Sequence, residues 1–101
     1  MATTTKVLYR GAATTTTTTT LYTVPSSTTT VVSNIVVSNT GASSYTFTLY
    51  LNGVLFANTV TIAANSIATF DVKQVLATTN TIQGGASNTA VTFHICGVEI
   101  V

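Results

Sequence analysis

The stretch YTFTLYLNGVLFANTVTI (residues 45–62) decides the fold class. Tyr45, Phe47, Leu49 and Leu51 alternate with Thr46, Thr48 and Tyr50, the period of two that a half-buried strand requires. Asn52-Gly53 follows at once. This pair suits a type I′ turn, whose two central residues both need positive φ. A return strand from Val54 to Ile62 is therefore expected, with Val54 and Phe56 on the apolar face of Leu51 and Leu49. Asn58 would then point inward, so a register shift or bulge is expected near it.

The rest of the chain repeats this grammar. Val, Ile, Thr, Tyr and Phe dominate, and turn signals arrive about every 8–12 residues, the rhythm of an all-β sandwich or barrel. Strands are expected over Lys6–Arg10, Thr17–Val24 and Thr28–Asn39, the last with Ser33, Ile35 and Val37 on one face. Further strands are expected over Ile67–Val72, Thr81–Gln83 and Thr89–Val101. Val91, Phe93 and Ile95 share a face in the last of these, and Gly97 suggests a bulge. Val72–Ala77 is the one segment where a helical turn fits. The reading is all-β: a single antiparallel β-sandwich of about seven or eight strands, jelly-roll or immunoglobulin-like, with an extended N-terminal arm. The division expected is an arm over 1–20 and a sandwich domain over 21–101.

Composition narrows function by exclusion. The chain has 101 residues, enough for one domain. Only 5% are charged, against ~25% in ordinary globular proteins. A quarter are threonine, so the polar surface is built from hydroxyls and amides. Lys6, Arg10 and Lys73 are the only cations. That is too few for the phosphate contacts of a nucleic-acid binder. No apolar run approaches the ~18 residues of a membrane span. A lone Cys96 rules out an internal disulfide, and none of the seven asparagines begins a glycosylation acceptor. These features point to a chain made and folded in a cytoplasm. So weakly charged a surface does little to hold molecules apart, which suits a protein that sits against others.

Residues with chemistry are scarce. His94 and Cys96, two apart on a strand, share a face but make only half of a metal site. The remaining acids are Asp71 and Glu99. A partly buried histidine and a small apolar cysteine explain the pair more simply. No Gly-x-Ser-x-Gly elbow accompanies His94 and Asp71, and Gly84-Gly85 lacks the Lys-Ser/Thr partner of a phosphate loop. Tyr9, Tyr22, Tyr45 and Tyr50 could form a sugar-stacking platform, though scattered tyrosines more often complete a core or an interface. No enzymatic activity, cofactor or metal is expected.

The run of seven threonines over 14–20 has no core-forming alternation, and β-branching disfavours a helix. It reads as an extended connector that becomes a strand near Leu21. An extended segment of this kind can also pair with a neighbouring subunit by strand addition.

Several pieces together carry a family likeness. They are KVLYRG, LYTVPSSTTTVVSNIVVSNTGAS, TLYLNGV, IAANS, VLATTNTIQGGAS and VTFHICGVEIV. The chain resembles a group of small β-sandwich proteins encoded in the structural gene clusters of bacteriophages. In these an LYTVP segment, an NIVVxNT segment and a closing HISGVEI recur. Leu21–Pro25 and His94–Ile100 occupy the first and last of these places, with Cys96 where serine is usual. The resemblance implies a virion structural protein with no active site to transfer. Its expected role is capsid decoration, on the capsid exterior, with the phage major capsid protein and further copies of itself (a homotrimer) as partners. Neither nucleic acid nor membrane is expected as a partner. The alternative it implies is a tail or fibre component, possibly a host-surface carbohydrate-binding module. The contact residues expected from the N-terminal segment are Lys6, Val7, Leu8, Tyr9, Arg10, Thr14, Thr17 and Thr20.

Overall fold

The computed structural model describes residues 3–101. Among them lie nine strands and no helix. The strands are β1 (Thr3–Ala12), β2 (Thr20–Thr23), β3 (Thr29–Asn39), β4 (Tyr45–Leu51), β5 (Val54–Ile62), β6 (Ser66–Phe70), β7 (Gln74–Leu76), β8 (Thr81–Ala86) and β9 (Val91–Ile100). They form two antiparallel sheets packed as a sandwich. One sheet runs β1-β9-β3-β6, with β7 also paired to β3; the other runs β2-β8-β4-β5.

This order chooses between the two topologies left open by the sequence. In an immunoglobulin sandwich the first two strands share a sheet. Here β1 and β2 lie in different sheets, and most later connections also cross between sheets. The β4–β5 hairpin is an exception. That wrapping is a jelly roll.

The hairpin forms as its turn residues require, with φ of 50° at Asn52 and 77° at Gly53. Its register then departs from the simple expectation. Ala57, and not Phe56, lies opposite Leu49, because Phe56 is bulged out of the ladder. A second irregularity falls at Asn58-Thr59, where the bulge was expected. Thr59 takes a φ of 51°, and its N–H is satisfied by the Thr48 hydroxyl at 3.1 Å. Val54 and Phe56 are consequently exposed, and Ala57 enters the core.

The core lies between the sheets. Phe47, Leu49 and Ile82 face Ile35, Val37, Phe93 and Ile95, all fully buried. Phe47 meets Phe93 edge-on at 6.3 Å and tilts against Phe70 at 6.0 Å, geometries that aromatic quadrupoles favour. Ser33 does not join this face. It is the bulged residue of β3, which resets the parity so that Val32 and Ile35 can both point inward. Gly97 is not itself bulged. It sits on the middle strand where both neighbours bulge, β1 at Leu8 and β3 at Ser33. A Cβ there would lie 2.4 Å from the Val31 carbonyl oxygen and 3.0 Å from Leu8 Cδ1. Glycine is needed to admit Leu8.

Two expectations need correction. Residues 72–77 make no helical turn; Gln74–Leu76 is a short strand beside β3, anchored by buried Leu76. Residues 3–12 are extended but built into the sandwich. They pair with β9 along their whole length, and Leu8 and Ala13 are core residues. The boundary expected at residue 20 therefore falls inside the fold. Met1 and Ala2, the start of the expected arm, lie outside the described residues.

Candidate functional site

The threonine run is where the chain passes from one sheet to the other. Ala13 N–H still donates to Val91 O in the first sheet, at 2.8 Å. Thr14 O then accepts from Ala86 N–H and Thr19 O from Gly84 N–H, both in the second sheet. Between these anchors the hydroxyls build the turn. Thr14 Oγ1 donates to Thr16 O at 3.1 Å, Thr19 Oγ1 donates to the same oxygen at 2.9 Å, and the two hydroxyls lie 2.6 Å apart. Gly85 is the floor. A Cβ there would lie 2.3 Å from Thr16 O. The segment is thus an ordered crossing, locked by side chains that cap backbone groups.

The residues expected to meet a partner separate accordingly. Leu8 is withdrawn, being 7% exposed and packed over Gly97. Tyr9 packs against the core and donates its hydroxyl to Ala12 O at 2.9 Å. Thr14 is exposed, but its hydroxyl is engaged in the turn; Thr17 is half-buried, and Thr20 is exposed opposite Gln83. Lys6, Val7 and Arg10 remain, exposed on β1. This strand is the edge of its sheet, bonded to β9 on one side only.

Behind that edge lies a polar cluster at one end of the sandwich. The Tyr22 hydroxyl donates to Glu99 Oε2 at 2.5 Å and accepts from Thr30 Oγ1 at 2.8 Å. Lys6 Nζ stands 3.4 Å from the same carboxylate. Burial, reinforced by the Glu99 hydrogen bond, raises the Tyr22 phenol above its ordinary value. Four strands from both sheets meet through these side chains.

The other candidates do not converge. His94 and Cys96 share the outward face of the five-stranded sheet, whereas Glu99 points inward and Asp71 lies in the β6–β7 loop, 3.9 Å from Lys73. Among the described residues no three of His, Cys, Asp and Glu gather as metal ligands would. Tyr9, Tyr22 and Tyr45 pack against the core, while Tyr50 is a half-buried outward residue of β4. They offer no common platform.

Each sheet also has an outward face. On the four-stranded sheet, the register places Thr46 and Tyr50 of β4 beside Thr61, Leu55 and Gln83. Hydroxyls and amides flank Leu55 there, and Val54, Phe56 and Val60 of β5 are exposed as well. On the five-stranded sheet, one cross-strand row reads Thr5, Val98, Val31, Val75. The next reads Val7, Cys96, Asn34, and the next Arg10, His94, Val36, Thr69. A fourth reads Ala12, Thr92, Ser38, Ile67. Arg10 is the only charge in these rows. Val75 and Ile67 are 67% and 70% exposed. Apolar and polar residues are mixed on this face: Val31 and Val36 are interspersed with Asn34 and Ser38 on β3, and Cys96 and Val98 with Thr92 and His94 on β9.

No protein-family model matches this sequence, and no curated protein matches it.

Proposed function

We propose that this chain is a structural component of a bacteriophage virion, a decoration protein that binds the outer capsid lattice and reinforces contacts between capsid subunits. The observation that carries the reading is the open edge of β1, with Lys6, Val7 and Arg10 exposed along it. An edge strand offers unpaired backbone groups to an extended partner segment, and its side chains supply selectivity. The sequence resemblance to phage structural proteins supports this reading. So do the jelly-roll wrapping, an architecture that viral capsid domains use, and a surface almost free of charge. The mechanism is added buried area and strand pairing, with a stabilisation that grows by mass action.

The test is to incubate the full chain with capsids stripped of decoration and to image them by cryo-electron microscopy. Added density on the capsid exterior, lost on Arg10→Glu in a chain that still folds, is the expected result. Density confined to the tail would move the role to a tail or fibre component. Absence of binding to any part of the particle would overturn the virion reading.

A further inference from the structure

We infer that the segment pairing with the β1 edge presents an aspartate or glutamate, and that Arg10 binds its carboxylate. The inference rests on the reading of that edge as the capsid contact, and it names the chemistry of what docks there.

Charge is balanced within the chain everywhere but at Arg10. The sequence holds three cations and two acids. Lys6 stands 3.4 Å from Glu99, and Lys73 stands 3.9 Å from Asp71. Those pairs use both acids, so the net charge of +1 is the charge of Arg10. Neither acid reaches it. Asp71 follows β6, three strands across the sheet from β1, or roughly 14 Å at ~4.8 Å per strand. Glu99 lies five positions beyond His94, the cross-strand neighbour of Arg10, or roughly 16 Å along β9 at ~3.3 Å per residue. Glu99 also points inward to Tyr22, whereas Arg10 and His94 share a row of the outward face. His94 offers no anion, and Arg10 is exposed.

Strand addition supplies the missing partner. β1 is bonded on one side only. A segment laid along its free side sets one residue directly across from Arg10, on the same face of the sheet. Cβ atoms of such a pair stand ~4.5–5.5 Å apart, and opposite charges there are favourable. The planar guanidinium can donate two parallel hydrogen bonds to a carboxylate. A polyphosphate would need several cations at once, and both lysines already face acids of their own chain. One free arginine on a strand edge fits one carboxylate of an extended peptide.

The test measures binding of the full chain to capsids stripped of decoration, at ~0.05 and ~0.5 M salt, where screening differs strongly. Arg10→Gln should weaken binding about tenfold at the lower salt. It should also remove most of the salt dependence, since this pair is the charged contact. Arg10→Lys keeps the charge without the fork and should lose less. Lys73→Gln, on the opposite edge, should change nothing. Melting curves check that all three variants fold. Arg10→Lys also places an amine where a carbodiimide can join it to a touching carboxylate. The reagent activates the carboxyl group, the amine displaces it to form an amide, and a urea leaves. Peptide mass spectrometry should then find position 10 joined to an aspartate or glutamate of the capsid. Full-strength binding by Arg10→Gln overturns the inference and leaves the virion reading in place. So does an equal loss on Lys73→Gln, or a bound Arg10→Lys chain that joins to no acid through position 10. Failure of the native chain to bind any part of the particle overturns the virion reading, and the inference falls with it.

Discussion

The Tyr22 hydroxyl donates to Glu99 across the gap between the sheets, at 2.5 Å. Tyr22 belongs to the short β2 of one sheet and Glu99 to the central β9 of the other. The carboxylate is 13% exposed and, among the described residues, its only other side-chain partner is Lys6 at 3.4 Å. Removing the phenol oxygen leaves a partly buried anion short of a donor. Tyr22→Phe should therefore destabilise the fold by about 1–3 kcal/mol, the range for hydrogen bonds to charged groups. Urea denaturation of the two proteins measures it. A loss below ~0.5 kcal/mol would mean that water replaces the hydroxyl there.

The same residue sets an alkaline limit. Burial and Glu99 raise the Tyr22 pKa in the folded chain above the ordinary 10.0. Above pH 10 the unfolded chain releases this proton while the folded chain still holds it. Proton uptake is then greater in the folded state, so stability falls as pH rises. The contribution is complete below pH 10 and is lost as pH climbs through the raised value. Melting curves from pH 8 to 12 should show a decline beginning near 10, and Tyr22→Phe should make that decline shallower.

Leu8 and Val7 are neighbours with opposite fates. Leu8 fills the space over Gly97, whereas Val7 is 42% exposed. Leu8→Ala should cost about 2–4 kcal/mol by leaving a cavity. Val7→Ala should cost under ~0.5 kcal/mol, as surface changes do. Deletion of residues 2–16 should unfold the chain, because it removes an edge strand and two core residues. Equal effects of the two alanine substitutions would place Leu8 outside the core.

Gly85→Ala should loosen the threonine crossing. The new methyl would lie 2.3 Å from Thr16 O and 2.9 Å from Thr14 O, both backbone atoms. Overpacking of this order costs about 1–3 kcal/mol. Hydrogen exchange at Gly84 and Ala86 should accelerate more than exchange in β3, since those two amides bond to Thr19 O and Thr14 O.

Thr79 lies in the turn before β8 with a φ of 72°. A β-branched residue is strained in that region, and asparagine tolerates it. Thr79→Asn should raise stability by about 1 kcal/mol, measured as a higher urea midpoint with an unchanged slope. A lower midpoint would show that the threonine side chain is needed in the turn.

Much of the fold was legible because local chemistry and global packing agree. Asn52-Gly53 dictates its hairpin, and Asn58, too polar for the core, announces the bulge beside it. Other parts were hidden for physical reasons. Nothing in TTTKVLYRGA alternates, since β1 is a sheet edge that buries one leucine through a bulge. Ser33 looks like part of a regular alternation until the bulge moves it outward. Residues 72–77 suggest a helical turn, but pairing with β3 outweighs that local preference. The locks within the threonine run were invisible too, because they depend on β8 arriving with two glycines.

The placement of charge has a consequence for the solvent in which this molecule works. From Gly11 to Phe70 there is no Lys, Arg, Asp or Glu, and all five such residues lie on β1, on β9 or between β6 and β7. Raising ionic strength from ~0.01 to ~1 M shortens the Debye length from ~30 to ~3 Å, but there is little here to screen. Chloride salts should leave the melting temperature nearly flat across that range. Sulfate acts by exclusion from the surface, so it should tighten the fold and, before long, drive the protein out of solution.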